Sequence, residues 1–422
     1  MSRKALCCGL VSVLIVACSG VEREAPQGRE AALEPVDPPA AGGALAPWLT
    51  PDGKGAWLSW LEPVAGGASA EKDGGRGEHR LRVARFDGSA WGPARTVHQG
   101  DGMFVNWADT PSVAVEPGGE LLVHWLEKRG EGPYAYGVRL ARSADGGASW
   151  QELGWLHDDR SATEHGFVTL VPGPGGTLAV WLDGRAMAEG GAMSLRAGGV
   201  DRAPLTGDLL DGRVCECCAT TAVATPDGVI VAYRDRSEDE IRDISAVRGD
   251  ASGWSEPYRL FNDGWRILGC PVNGPALAVD GRRVAAAWFT AGDGGPKVRA
   301  ALSNDGGRSF ARVVEVAGRA AVGRVDVVLE PEGTTLVSWI GGTGTDQAMG
   351  AVWLRRVSRD GSVGSAIVLA ETSTARASGF PRLLLHGDEV WLVWVETGDP
   401  ARLRFGWLPR AAVLATSFTP ES

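Results

Sequence analysis

Apolar and polar positions fall along this chain in a phrase that returns seven times. An apolar strand leads into a turn rich in Pro, Asp or Gly, and a second apolar strand then closes on an aromatic residue. The copies begin PWLTPDGKGAWLSWLE at Pro47, PSVAVEPGGELLVHWLE at Pro111, FVTLVPGPGGTLAVWLD at Phe167 and TTAVATPDGVIVAYRD at Thr220. They continue with PALAVDGRRVAAAWFT at Pro275, VDVVLEPEGTTLVSWIG at Val325 and PRLLLHGDEVWLVWVE at Pro381. The aromatic anchors Trp60, Trp125, Trp181, Tyr233, Trp288, Trp339 and Trp394 recur every 51 to 65 residues. That interval holds the two strands of the phrase and one or two more. Units of this size, each too small to bury its own apolar face, predict an all-β chain folded as a β-propeller. Seven phrases favour seven blades, with six as the alternative if the widely spaced first unit is not a blade.

Outside the repeats the pattern changes. The opening MSRKALCCGLVSVLIVACSG has a short basic start and thirteen apolar-rich residues from Ala5 to Ala17, too few to span a bilayer. Its end, IVAC, resembles the bacterial lipobox, which implies a signal peptide over 1–17 and a lipid on Cys18; cleavage near Ser19 as an ordinary signal peptide is the alternative. Residues 18–46, rich in Ala, Pro, Glu and Gly, read as a flexible tether. The folded domain is then expected over 47–414, with a tail at 415–422. The expectation is an exported lipoprotein, monomeric, held by its lipid at the outer membrane. The formal charge of −10 argues against nucleic acid as a partner.

In a propeller the inner strand of each blade starts at one face and the second strand ends there, so both sets of residues gather around one mouth. Second-strand ends supply Glu127, Asp183 and Asp235 beside Arg185, Arg234 and Arg236, with Tyr233 in the place of a Trp. Segments entering inner strands supply His165, Asn273, Arg376 and Arg382. Arginine forks match carboxylates, so this mouth suits a glycan or small anionic ligand. Asp235, with Asp183 or Glu127, would form a general acid and base pair. The competing reading makes the acids after each aromatic anchor into caps shared by all blades.

Four cysteines remain beyond the signal, and all sit at the entrances of two adjacent inner strands: Cys215, Cys217 and Cys218 in RVCECCATTAV, and Cys270 in GCPVNGPALAV. In an exported protein an even, clustered set reads first as disulfides. A thiolate site for Zn or Cu is the second reading and a free redox pair the third.

Two turns, SADGGASW at 143–150 and SNDGGRSF at 303–310, resemble the Asp box of the sialidase superfamily, with Asp145 and Asp305 capping the hairpin and Trp150 and Phe310 plugging between sheets. The resemblance implies a sialidase-like propeller acting on glycans. In that family three arginines clamp the substrate carboxylate, a Tyr assisted by a Glu is the nucleophile and an Asp is the acid/base. The family's opening Arg-Ile-Pro motif is missing, and no Tyr follows Tyr258. The repeats therefore carry over while the catalytic set does not. The expected function is a glycan- or anionic-ligand-directed propeller, acting as an exo-glycoside hydrolase through carboxylates. The alternatives are a non-catalytic binding propeller and a periplasmic metal or redox protein built on the cysteines.

Overall fold

The computed structural model describes residues 29–30, 33–64, 77–344 and 348–414. The expected signal peptide, Cys18 and the tail at 415–422 lie outside the described residues. The strands form seven sheets of four or five strands, and these are the seven blades of a β-propeller. Their inner strands are Leu45–Pro51, Val113–Val115, His165–Gly173, Thr221–Thr225, Ala276–Asp280, Ala321–Leu329 and Arg382–His386. Each pairs antiparallel with the strand that follows it, as the Pro/Asp-Gly turns require.

What holds the ring together is the space between blades. Seven apolar clusters among the described residues each join two consecutive blades, and one of them joins the seventh to the first through Phe86, Trp391 and Phe405. The anchors Trp60, Trp125, Trp181 and Trp288 are fully buried in these clusters. A Trp can be buried whole only if its indole N–H finds an acceptor, and how the blades meet that need bears on the site below.

The two Asp-centred turns fold alike. Ser143 Oγ and the Ser149 N–H donate to Asp145 at 2.8 and 2.9 Å, and Ser303 Oγ and the Ser309 N–H donate to Asp305 at 2.7 and 3.0 Å. Gly146 and Gly147 (φ 66° and 79°) and Gly306 and Gly307 (φ 72° and 79°) supply the left-handed backbone these turns need. Trp150 packs at the junction of blades 1 and 2, and Phe310 at that of blades 4 and 5.

The described part of the expected tether is not free. Glu34–Pro35 pairs antiparallel with Trp407 and Gly406 and completes the seventh blade, while Arg29–Glu30 pairs parallel with Ile367 and Val368 on the sixth. Val36 and Ala40 pack on the cluster that closes the ring, and the Val36 N–H donates to Phe405 O at 3.0 Å. An edge strand contributes backbone hydrogen bonds and a few apolar contacts, so its composition need not look like a strand. Folded structure thus begins well before Pro47. At the other end a short helix, Arg410–Leu414, follows the last strand.

Candidate functional site

The acids that follow the aromatic anchors are engaged by the repeat itself. The indole N–H donates two residues ahead in three blades: Trp60 to Glu62 at 3.0 Å, Trp125 to Glu127 at 3.4 Å and Trp181 to Asp183 at 2.9 Å. In blade 5 the following position is Thr290, and Trp288 donates instead to Asp263, from the loop before the blade, at 2.8 Å. The carboxylate is therefore the partner that lets each Trp be buried, which is the shared-cap reading.

Asp183 carries more than its Trp. Arg185 grips it with Nε at 2.7 Å and Nη2 at 2.8 Å, and His165 Nε2 stands 3.6 Å away, stacked on His157 with centroids 3.9 Å apart. Burial would raise the Asp183 pKa, but the Arg185 fork and the His165 and Trp181 contacts hold it down to about 2. This is an ionised structural acceptor and the wrong state for a general acid. Burial lowers the pKa of His165 against the opposing pull of the Asp183 charge.

Asp235 and its expected partners, Asp183 or Glu127, share no hydrogen-bond or ion-pair partner among the described residues. Glu127 lies beside Trp125, 3.8 Å from Arg139. Asp235 accepts from the Arg236 N–H at 2.6 Å and Ser245 Oγ at 3.0 Å, and burial followed by the charge of Asp211 raises its pKa. Each of the three sits in a separate network on its own blade. Tyr233 donates to Asp211 at 2.6 Å. The arginines flanking Asp235 also turn elsewhere. Arg234 is buried over Trp265 and donates to three backbone carbonyls, Asn273 at 2.8 Å, Arg242 at 2.6 Å and Phe289 at 2.7 Å. It braces blades 4 and 5 and faces no solvent.

The cysteines do converge. Cys215 Sγ lies 3.5 Å from Cys218 Sγ and 3.8 Å from Cys217 Sγ, and the exposed Cys270 lies near enough to perturb the Cys217 thiol. All four are free thiols; a disulfide would bring two sulfurs to about 2.05 Å. Arg242 Nη1 donates to Cys215 Sγ at 3.1 Å, and the Asn273 N–H donates to Cys218 Sγ at 3.3 Å. Around the sulfurs runs a closed ring of alternating charge. Arg242 pairs with Glu216 at 2.9 Å and Glu240 at 2.8 Å, and Arg236 pairs with the same two acids. The neighbouring Cys217 and Cys218 thiols pull the pKa of Cys215 down, while the same contact with Cys215 pushes Cys217 up and burial pushes Cys218 up.

Two further groups at the inner-strand entrances bring in residues the sequence does not single out, Arg324 beside Arg376 and Tyr136 beside Glu164. Arg324 is buried, lies 4.8 Å from the Trp107 ring, and donates to Ala375 O at 2.7 Å, Thr374 O at 3.2 Å and Ser378 Oγ. The exposed Arg376 reaches the same ring at 5.9 Å, and Phe380 stacks on it at 5.7 Å. Among the described residues neither arginine has a carboxylate partner. Burial and the adjacent Arg376 charge draw the Arg324 pKa down to about 10. Trp107 and Phe380 belong to the apolar cluster that also receives Cys217 and Val272, so the arginines and the cysteines share one mouth.

The second group is Tyr136, whose hydroxyl donates to Glu164 at 2.6 Å and lies 3.4 Å from Asp109. Tyr136 and Glu164 thus form a Tyr–Glu pair, but Tyr136 is 1% exposed and stacked under Phe104, so its hydroxyl has no access to a substrate. Below the mouth the inner strands line a central cavity of about 260 Å³. It begins at Ala219 and Gly274, the neighbours of Cys218 and Asn273, and also holds Arg382, whose guanidinium stacks on Trp48 at 4.0 Å.

No family model matches the chain, and no curated protein matches its sequence. Solved structures share its fold. An ancestral GH74 enzyme aligns at 12% identity and a TM-score of 0.52, covering 89% of this chain and 57% of that one. The polysaccharide lyase Uly1 aligns at 9% identity and 0.50, covering 86% and 89%. The NanB sialidase of Streptococcus pneumoniae aligns at 10% identity and 0.46, covering 87% and 68%. At these identities the likeness is one of fold.

Proposed function

We propose that the protein is a glycan-directed propeller that binds an acidic sugar or similar small anion at the mouth, with the ligand carboxylate on Arg376. The observation that carries this reading is the pair Arg324 and Arg376 beside Trp107, without a carboxylate partner among the described residues. Arg324 is occupied by backbone carbonyls and supplies fixed positive potential, while Arg376 is exposed and keeps its fork available. The lipobox-like segment supports export as a monomeric lipoprotein anchored through Cys18 at the outer membrane. Hydrolysis, where it accompanies binding, would fall to Asp235, whose raised pKa suits a proton donor better than that of Asp183.

Calorimetric titration of the mature chain with uronic acids and sialosides, beside their methyl esters, tests this. Losing a charge-assisted pair costs about 1.5–3 kcal/mol, so the ester or an Arg376→Gln variant should bind about 10- to 100-fold more weakly. Equal affinity for acid and ester would sink the reading. Release from aryl glycosides that is abolished in Asp235→Asn would extend it to a glycoside hydrolase.

A further inference from the structure

We infer that Cys215, Cys217 and Cys218, joined by Cys270 from the next blade, form a thiolate site for one thiophilic d10 cation, Zn(II) or Cu(I), at the rim of the mouth. The geometry fits such an ion. Bonds of about 2.3 Å place the sulfurs of a tetrahedral zinc site about 3.8 Å apart. Here two of the separations are 3.5 and 3.8 Å, and the three sulfurs of the CxCC segment all lie within 4.8 Å of one another. Cys270, exposed at the entrance of the next blade, lies outside this group of three and is the nearby thiol that could complete it. The sulfurs are too far apart to be bonded and close enough to share an ion.

The surroundings suit a metal thiolate in three further ways. Sulfur ligands are normally oriented by donors in the outer shell, and here Arg242 donates to Cys215 and the Asn273 N–H to Cys218. Charge is matched as well. Glu216 and Glu240 are each paired with both Arg236 and Arg242 around the sulfurs, and a bound cation would offset the charge of the thiolates it creates. Access comes from Cys270, which is exposed, and Cys217, which is half-buried. The candidate ligand atoms are all sulfur, which favours a soft ion over a hard one. Binding releases to solvent whatever protons the ligating thiols carry and involves no change of oxidation state. The site is independent of the arginine pair, so either proposal can fail alone.

The test uses the mature chain reduced under anaerobic conditions. Zn(II) titration against a chromophoric chelator, Co(II) substitution read by its thiolate charge-transfer band, and Cu(I) titration against bathocuproine disulfonate form three arms. One ion per chain and a Co(II) spectrum of tetrahedral thiolate type are expected, and the ratio of Zn(II) to Cu(I) affinity tells which ion the site prefers. Cys270→Ser, an exposed change that should leave the fold intact, should weaken binding at least tenfold and diminish the charge-transfer band. Cys217→Ser should do the same. Failure of the reduced wild-type chain to take up any of the three ions would overturn the inference. So would stoichiometric uptake that neither variant alters.

Discussion

Replacing Asp109 by Asn should flatten the dependence of stability on pH. Asp109 is 1% exposed, accepts the Phe167 N–H at 2.8 Å and lies near Glu164 across the Tyr136 hydroxyl. Burial, assisted by the charge of Glu164, raises its pKa to about 8, whereas in the unfolded chain it titrates near 4. Between those values the folded state holds a proton that the unfolded state has released, so stability must fall as pH rises. The contribution is full below about pH 4 and is lost as pH climbs through the folded pKa. The slope from one such group approaches about 1.4 kcal/mol per pH unit, or on the order of 3 kcal/mol between pH 5 and 7. Glu164, raised to about 7 chiefly by burial, adds its own share in the same direction. Asn keeps an oxygen for the Phe167 N–H and cannot ionise. Urea unfolding followed by tryptophan fluorescence at pH 5, 6 and 7 should show a steep decline for the wild type and a shallower one for Asp109→Asn. Parallel declines would refute the assignment of a protonated carboxyl to this site.

Other substitutions probe the braces of the ring. Asp183→Asn breaks a buried pair with Arg185 and should cost about 3 kcal/mol at pH 7 in the same unfolding assay. Its carboxylate is held down to about 2, so its contribution is present above pH 4 and fades on acidification towards pH 2; the variant should show less acid sensitivity in that window. Arg234→Met leaves three buried carbonyls without their donor and should destabilise by about 3 kcal/mol or more, with Lys restoring little because it cannot fork to all three. Deleting residues 29–36 removes the outer strand of the seventh blade, and the thermal midpoint should drop by several degrees; an unchanged midpoint would mean that this strand does not close the ring.

The repeat made the architecture legible because every blade must hide a strand pair and an aromatic anchor. Those demands recur at fixed places in the sequence, and the seven phrases map onto seven blades. Site chemistry was less legible because the same residue type serves two ends. An acid two places after Trp can face a ligand or accept an indole N–H, and only the indole geometry of Trp60, Trp125 and Trp181 decides. Arg234 and Arg236 stand one residue to either side of Asp235 yet point into different networks, a matter of strand face that local sequence does not resolve. Arg324 carries no signal of its own because the repeated phrase begins one residue later, at Val325. The cysteines were found by spacing, and what spacing could not supply was the distances between their sulfurs.

The way the chain joins the propeller also decides which side of it looks outward. Strand Arg29–Glu30 runs parallel to Ile367–Ser373 and meets it at Ile367 and Val368, the end remote from the mouth. Arg29, where the described chain begins, therefore lies at the underside of the sixth blade. With a lipid on Cys18, the eleven residue steps to Arg29 could span at most about 40 Å. So short a leash, fixed to the underside, would stand the propeller on the membrane with its cysteines and Arg376 turned away from the lipid, open to solutes and polymers approaching from the aqueous phase.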